Sequence, residues 1–170
     1  MRSTSRIVAL TIVFAANILI GPVAGETVLD RARRDQIVRV PGDDPDMTAA
    51  MAKARATLQD FLALARAPQA SMSGFAVKVA VRDGGNTEYF WITPFKEQDD
   101  GFTGVINNTP RSVKSVKFGQ LLAFSEKEIV DWLYVDSGKM KGNYTVCVLL
   151  KRESKADADA AKARFGLECD

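Results

Sequence analysis

The chain has 170 residues, with 23 Lys plus Arg against 21 Asp plus Glu, two Cys and no His. Without His there is no Ser-His-Asp or Cys-His catalysis and no His-ligated metal, and two widely separated Cys do not make a structural zinc site. So small a positive excess gives no support to nucleic-acid binding, which runs on surplus Lys and Arg.

The first element in chain order reads as an export signal. Arg2 and Arg6 precede the apolar run Ile7–Ile20, Gly21-Pro22 breaks it, and Val23-Ala24-Gly25 puts short residues before Glu26. That is the order of a cleavable secretory signal over residues 1–25, cut near Gly25/Glu26. The run holds 14 residues, where a spanning helix needs about 20. Cleavage removes two Arg and no acid, leaving 21 charges of each sign. The expected product is therefore neutral, periplasmic or secreted, and without a stable membrane anchor. A local basic group, Arg111, Lys114 and Lys117, survives within it.

Residues 26–44 read as a polar linker with one short strand, Ile37–Val40. The domain proper is expected over 45–151, followed by a C-terminal helix and tail over 152–170. Asp43-Asp44-Pro45-Asp46 opens a helix, with Asp46 or Thr48 as cap. Met47, Ala50, Met51, Ala54, Leu58, Phe61, Leu62 and Ala65 form one apolar stripe at spacings of three and four, and Pro68 stops it.

Four strands are predicted next: Phe75–Val81, Glu88–Thr93, Phe102–Asn107 and Val116–Phe124. Asp83–Asn86 and Asp99–Gly101 supply turns. Ser125-Glu-Lys-Glu128 is a capping box that predicts a short helix to about Trp132. Tyr134–Gly142 reads as a polar excursion, and Tyr144–Leu150 as a fifth, central strand. Ser154 caps a last helix that Gly166 ends. The fold class is α+β: a small antiparallel sheet or an SH3-like barrel of about five strands, with a helix at each end.

An even Cys count in an oxidising compartment allows one bridge. A helix folding back along the run that holds Cys147 brings Cys169 near. A bridge there would clamp the last helix, worth about 3 kcal/mol on the loop-entropy model. The alternative is a buried free Cys147 and a frayed Cys169.

With these residues in order, the chain resembles the YegJ-like family of bacterial domains of unknown function over roughly residues 43–151. The carriers are Asp43-Asp-Pro-Asp-Met47, Ala54-Arg-Ala-Thr-Leu58 with Phe61, Glu88-Tyr-Phe-Trp91, and Phe102-Thr-Gly104 with Asn107 and Pro110. Ile129-Val-Asp-Trp-Leu-Tyr134, Gly138-Lys139 and Gly142-Asn-Tyr-Thr145 complete the set. The resemblance implies a soluble, often exported domain and carries no activity.

The densest polar-aromatic cluster is Asp131, Trp132, Tyr134, Asp136, Lys139, Lys141, Asn143 and Tyr144. One reading makes it a binding lip, with aromatics for contact and charges for orientation. The other makes it a well-formed turn, in which Trp132 and Tyr134 pack and an Asp accepts backbone amides. The one enzymatic route is a carboxylate pair, Asp131 with Asp136 or with Glu88, held about 5–9 Å apart in a cleft. No cofactor or metal is expected. Two functions follow. One is a non-catalytic extracytoplasmic binding module, immunity-like or envelope-associated, whose partner is another protein or an envelope component. The alternative is a small carboxylate-dependent hydrolase of cell-envelope polymers.

Overall fold

The computed structural model describes residues 44–169. The export signal and nearly all of the linker fall at residues 1–43, outside the described residues.

The apolar stripe forms two helices, α1 (Pro45–Ala56) and α2 (Leu58–Arg66). The cap is Asp44, two residues before Asp46 and four before Thr48, the caps the sequence suggested. Its Oδ1 accepts the Met47 amide at 2.9 Å, and Pro45 follows at a position where no N–H is needed. Thr57 divides the stripe. Its hydroxyl donates to the Lys53 carbonyl at 2.9 Å, and its backbone leaves the helical region at φ −110° and ψ 7°. The stripe stays on one side: Ala50, Ala54, Leu58, Phe61 and Leu62 are all buried.

Six strands make one antiparallel sheet in the order β4-β3-β2-β1-β5-β6. They are β1 (Met72–Asp83), β2 (Asn86–Gln98), β3 (Gly101–Ile106), β4 (Leu121–Phe124), β5 (Ile129–Asp136) and β6 (Lys139–Gly142). Among the described residues the sheet is open, with β4 and β6 as its edges, so of the two expected topologies the barrel is not formed. On one face Val77 stands opposite Ile92 and Val79 opposite Phe90, all fully buried. Trp132 stands opposite Val77 on the other flank, donates Nε1–H to the Ala54 carbonyl at 2.9 Å, and stacks on Phe61 at 4.9 Å. This tryptophan locks α1 and α2 to the sheet; burying a ring such as Phe61 contributes about 2–3 kcal/mol.

Four expectations change here. Tyr144–Leu150 is a helix, α3, and not a strand. A seven-residue apolar run satisfies either state, and the contacts at its start decide. Asn143 adopts a left-handed backbone at φ 55°, and the Asp131 carboxylate takes the first two helix amides. Second, the capping box forms, but it caps a single 3-10 turn at Glu126–Glu128, and β5 begins at Ile129. Third, the polar excursion is the β5–β6 hairpin, turning at Ser137-Gly138 with φ of 50° and 79°. The fourth strand is also shorter than expected, because Lys117–Gln120 turns before it.

The last helix, α4 (Lys155–Phe165), starts on Ser154 and ends at Gly166, as the sequence indicates. With α3 and β6 it closes a second small core of Leu150, Ala158, Ala161 and Leu167. Cys147 and Cys169 are bridged across it, with Cα atoms 5.5 Å apart. Among the described residues no helix is long and apolar enough to cross a membrane.

Candidate functional site

The residues of the predicted lip separate into interior and surface. Asp131, Trp132 and Asn143 are buried, Tyr134, Asp136 and Tyr144 are half-buried, and Lys139 is exposed. Asp131 has no exposed surface at all. Its carboxylate accepts the amides of Trp132 at 2.9 Å, Tyr144 at 3.2 Å and Thr145 at 2.9 Å, and the Thr145 hydroxyl at 2.6 Å. Asp131 thus holds the start of α3 against β5.

Lys78 lies directly opposite Asp131 on β1 and opposite Trp91 on β2, so the three side chains form a row on one face of the sheet. Its ammonium donates to the Thr145 hydroxyl at 2.6 Å and sits 4.5 Å from the centre of the Trp91 ring. Burial lowers the Lys78 amine below its ordinary pKa, and the nearby Asp131 charge opposes that shift. Sequence reading passed over Lys78 and Thr145. The signal was a lone Lys inside an alternating apolar strand.

Glu88, at the start of β2, is buried as well. It accepts the amides of Arg111, Ser112 and Val113 and the Ser112 hydroxyl, all at 2.8–3.1 Å. Burial pushes its carboxyl up, and the Val113, Ser112 and Arg111 amides together bring it below the usual range. Glu88 therefore anchors the loop between β3 and β4. Neither expected carboxylate pair converges. Asp131 and Asp136 are five residues apart along β5, about 16 Å in an extended strand. Glu88 stands opposite Val81 and Asp131 opposite Lys78, an odd spacing on β1 that sends them to opposite faces.

The concave surface lies elsewhere. The β1–β2 ladder runs from Asp83 and Asn86 to Val77 and Ile92. Beyond that rung β2 slips register against β3 between Ile92 and Phe95, where Pro94 supplies no N–H. Gly104 permits the kink, since a Cβ there would sit 2.8 Å from the Phe95 Cβ and 2.9 Å from the Pro94 carbonyl. Met72–Ala76 and Thr93–Gln98 then diverge, and among the described residues no ladder pair joins them. The Thr93 hydroxyl donates to the Phe75 carbonyl at 3.0 Å across the top of the split.

The split opens a cleft of about 450 Å³. Phe75, Phe95 and Phe102 line it together with Leu62 and Ala65 of α2. A bidentate Arg66–Glu97 pair, at 2.7 and 2.8 Å, closes one rim. Each partner stabilises the other's charge: Glu97 is lowered by Arg66, and Arg66 is raised by Glu97. Tyr134 of the expected lip stacks on Phe75, ring centres 5.2 Å apart. Tyr144 lines a separate groove of about 260 Å³ between α1 and α3, with Lys53 over its ring. Sequence reading placed Phe75 and Phe102 in strands and passed over Phe95; the Thr93-Pro94 step was the sign that β2 departs from β1.

A family described as "Uncharacterized protein conserved in bacteria (DUF2314)" matches residues 44–169. The chain belongs to this family. Uncharacterized protein YegJ of Escherichia coli (strain K12) is 34% identical over 131 residues, covering 77% of this chain and 84% of that protein. No solved structure matches. The match runs from the α1 cap to Cys169, so the family unit takes in α4 and both cysteines, beyond the stretch to residue 151 on which the resemblance was read.

Proposed function

We propose that this family member is a non-catalytic, extracytoplasmic binding module that holds an extended apolar segment of a partner protein in the β1–β2 cleft. The observation that carries the reading is the split sheet. Two diverging strands leave unpaired edges facing an aromatic-lined cleft of about 450 Å³. Free strand edges offer main-chain hydrogen bonds to an added strand, and pockets between them select its side chains. The charged Arg66–Glu97 rim would orient the segment.

Two further features support the extracytoplasmic placing: the signal-type order of residues 1–25, and a bridged cysteine pair, which persists in oxidising compartments. The hydrolase alternative loses its acid and base, since Asp131 and Glu88 spend their oxygens on backbone amides.

In-cell photocrosslinking tests the proposal. A photoreactive residue at Lys96, on the cleft, should yield a covalent adduct with an envelope protein, and one at Lys155 on α4 should not. N-terminal sequencing of the same purified protein should begin near Glu26. Adducts at both positions or at neither, or an intact Met1, would overturn the reading.

A further inference from the structure

The far edge of the sheet carries a separate surface. β4 is four residues long, Leu-Leu-Ala-Phe, with β3 on one side and no strand on the other among the described residues. Natural edge strands are usually blunted by charges, Pro or a bulge. Leu121–Phe124 has neither a charged residue nor a Pro. Phe124 and Leu122 turn inward, Phe124 stacking on Phe102 at 5.6 Å. Leu121 is 65% exposed, and Phe118, in the turn leading into the strand, is 62% exposed. They are the two most exposed large apolar side chains among the described residues, and both lie at the start of the open edge.

The charges around this edge run in one direction. Exposed Lys114 and Lys117 precede it, and Glu126 and Glu128 follow it. Lys127 offsets part of the acidic side. An antiparallel partner of the same sequence, related by a two-fold axis through Ala123, sets the basic flank of each copy against the acidic flank of the other. It also lays Leu122 of one copy beside Phe124 of the other, both on the inward face. A parallel partner would set like charges together.

We infer that β4 is a self-association edge: two copies of the chain pair β4 to β4, antiparallel, into one continuous twelve-stranded sheet. This interface lies away from the α2 side of the cleft and does not rest on what the cleft binds. A four-residue edge with two apolar side chains falls short of the roughly 800 Å² per partner of a stable complex. The dimer is therefore weak and concentration-dependent.

Sedimentation equilibrium tests this on protein expressed from the full sequence and purified as the host processes it. The mass should rise from one to two chains with concentration, and 1 M salt should weaken the association. Leu121→Lys places a charge on the edge and should raise the dimer dissociation constant at least about tenfold. Phe165→Ser, an exposed ring on α4, should leave it unchanged. Circular dichroism of both variants should match the parent. Amide exchange at Leu121–Phe124 should slow as concentration rises. A single-chain mass up to about 1 mM, or a dimer that Leu121→Lys leaves intact, would overturn the inference.

Discussion

The Asp131 carboxylate accepts both the amide of Thr145, at 2.9 Å, and its hydroxyl, at 2.6 Å, in a site with no solvent exposure. One aspartate therefore ties β5 to α3 and balances the buried Lys78 charge. Asp131→Ala leaves three amides and a hydroxyl without their acceptor and removes the charge nearest the Lys78 ammonium. Breaking such a buried set costs about 3–5 kcal/mol. Asp131→Asn keeps one acceptor oxygen and should cost less. Urea unfolding of the two variants checks both the size and the order; a loss under about 1 kcal/mol for Asp131→Ala would remove Asp131 from this role.

Lys78 gives the fold a signature at alkaline pH. Its amine titrates below the ordinary 10.5 in the folded state, so between the two values the unfolded chain binds more protons. Stability from this group must then rise as pH climbs through the folded pKa towards 10.5. Lys78→Met removes the titration. The stability of the parent relative to Lys78→Met should therefore improve from pH 7 to pH 10, read from urea midpoints at fixed salt. A flat or falling difference contradicts the desolvation of the Lys78 ammonium.

The bridge between Cys147 and Cys169 closes the second core around Leu150, Ala158, Ala161 and Leu167. Its sequence separation is 22, for which loop entropy gives about 3 kcal/mol. Cys147→Ser with Cys169→Ser should lower the unfolding free energy by about that amount and speed amide exchange over residues 155–169. Exchange in β1 and β2 should change far less, because their core of Val77, Val79, Phe90 and Ile92 is a different cluster.

Glu168 adds an acid-side test. Lys139 and then Lys141 hold its carboxyl down to about 2. A depressed carboxylate contributes stability above its unfolded pKa and loses it as pH falls through the folded value. The parent should thus lose its advantage over Glu168→Gln between about pH 4.5 and pH 2. Lys139 is exposed and Lys141 half-buried, so 1 M salt should shrink the difference.

Much of this was legible in the sequence. The α1–α2 stripe, the first three strands, the capping box and the α4 cap and stop follow from periodicity and local turn chemistry, and the even Cys count allowed the bridge that forms. Tyr144–Leu150 was not legible, because an apolar run that short fits a buried strand or a buried helix. Asp131 decides between them from thirteen residues upstream of Tyr144, through contacts that no local pattern encodes. The cleft was hidden for a similar reason. It exists because β1 continues while β2 turns away, and only register reveals where two strands stop pairing.

The cleft itself is tested most directly by binding measured on blocked and unblocked forms. Peptides selected from a random library on the parent protein would be titrated calorimetrically against two variants of α2. Ala65 lines the cleft and Ala63 is exposed, so Ala65→Trp fills the site while Ala63→Trp adds the same ring outside it. The account predicts apolar, extended peptides that bind the parent and Ala63→Trp alike and lose at least about tenfold in affinity for Ala65→Trp. Equal affinity for both variants, or a library that yields no binder, would contradict it.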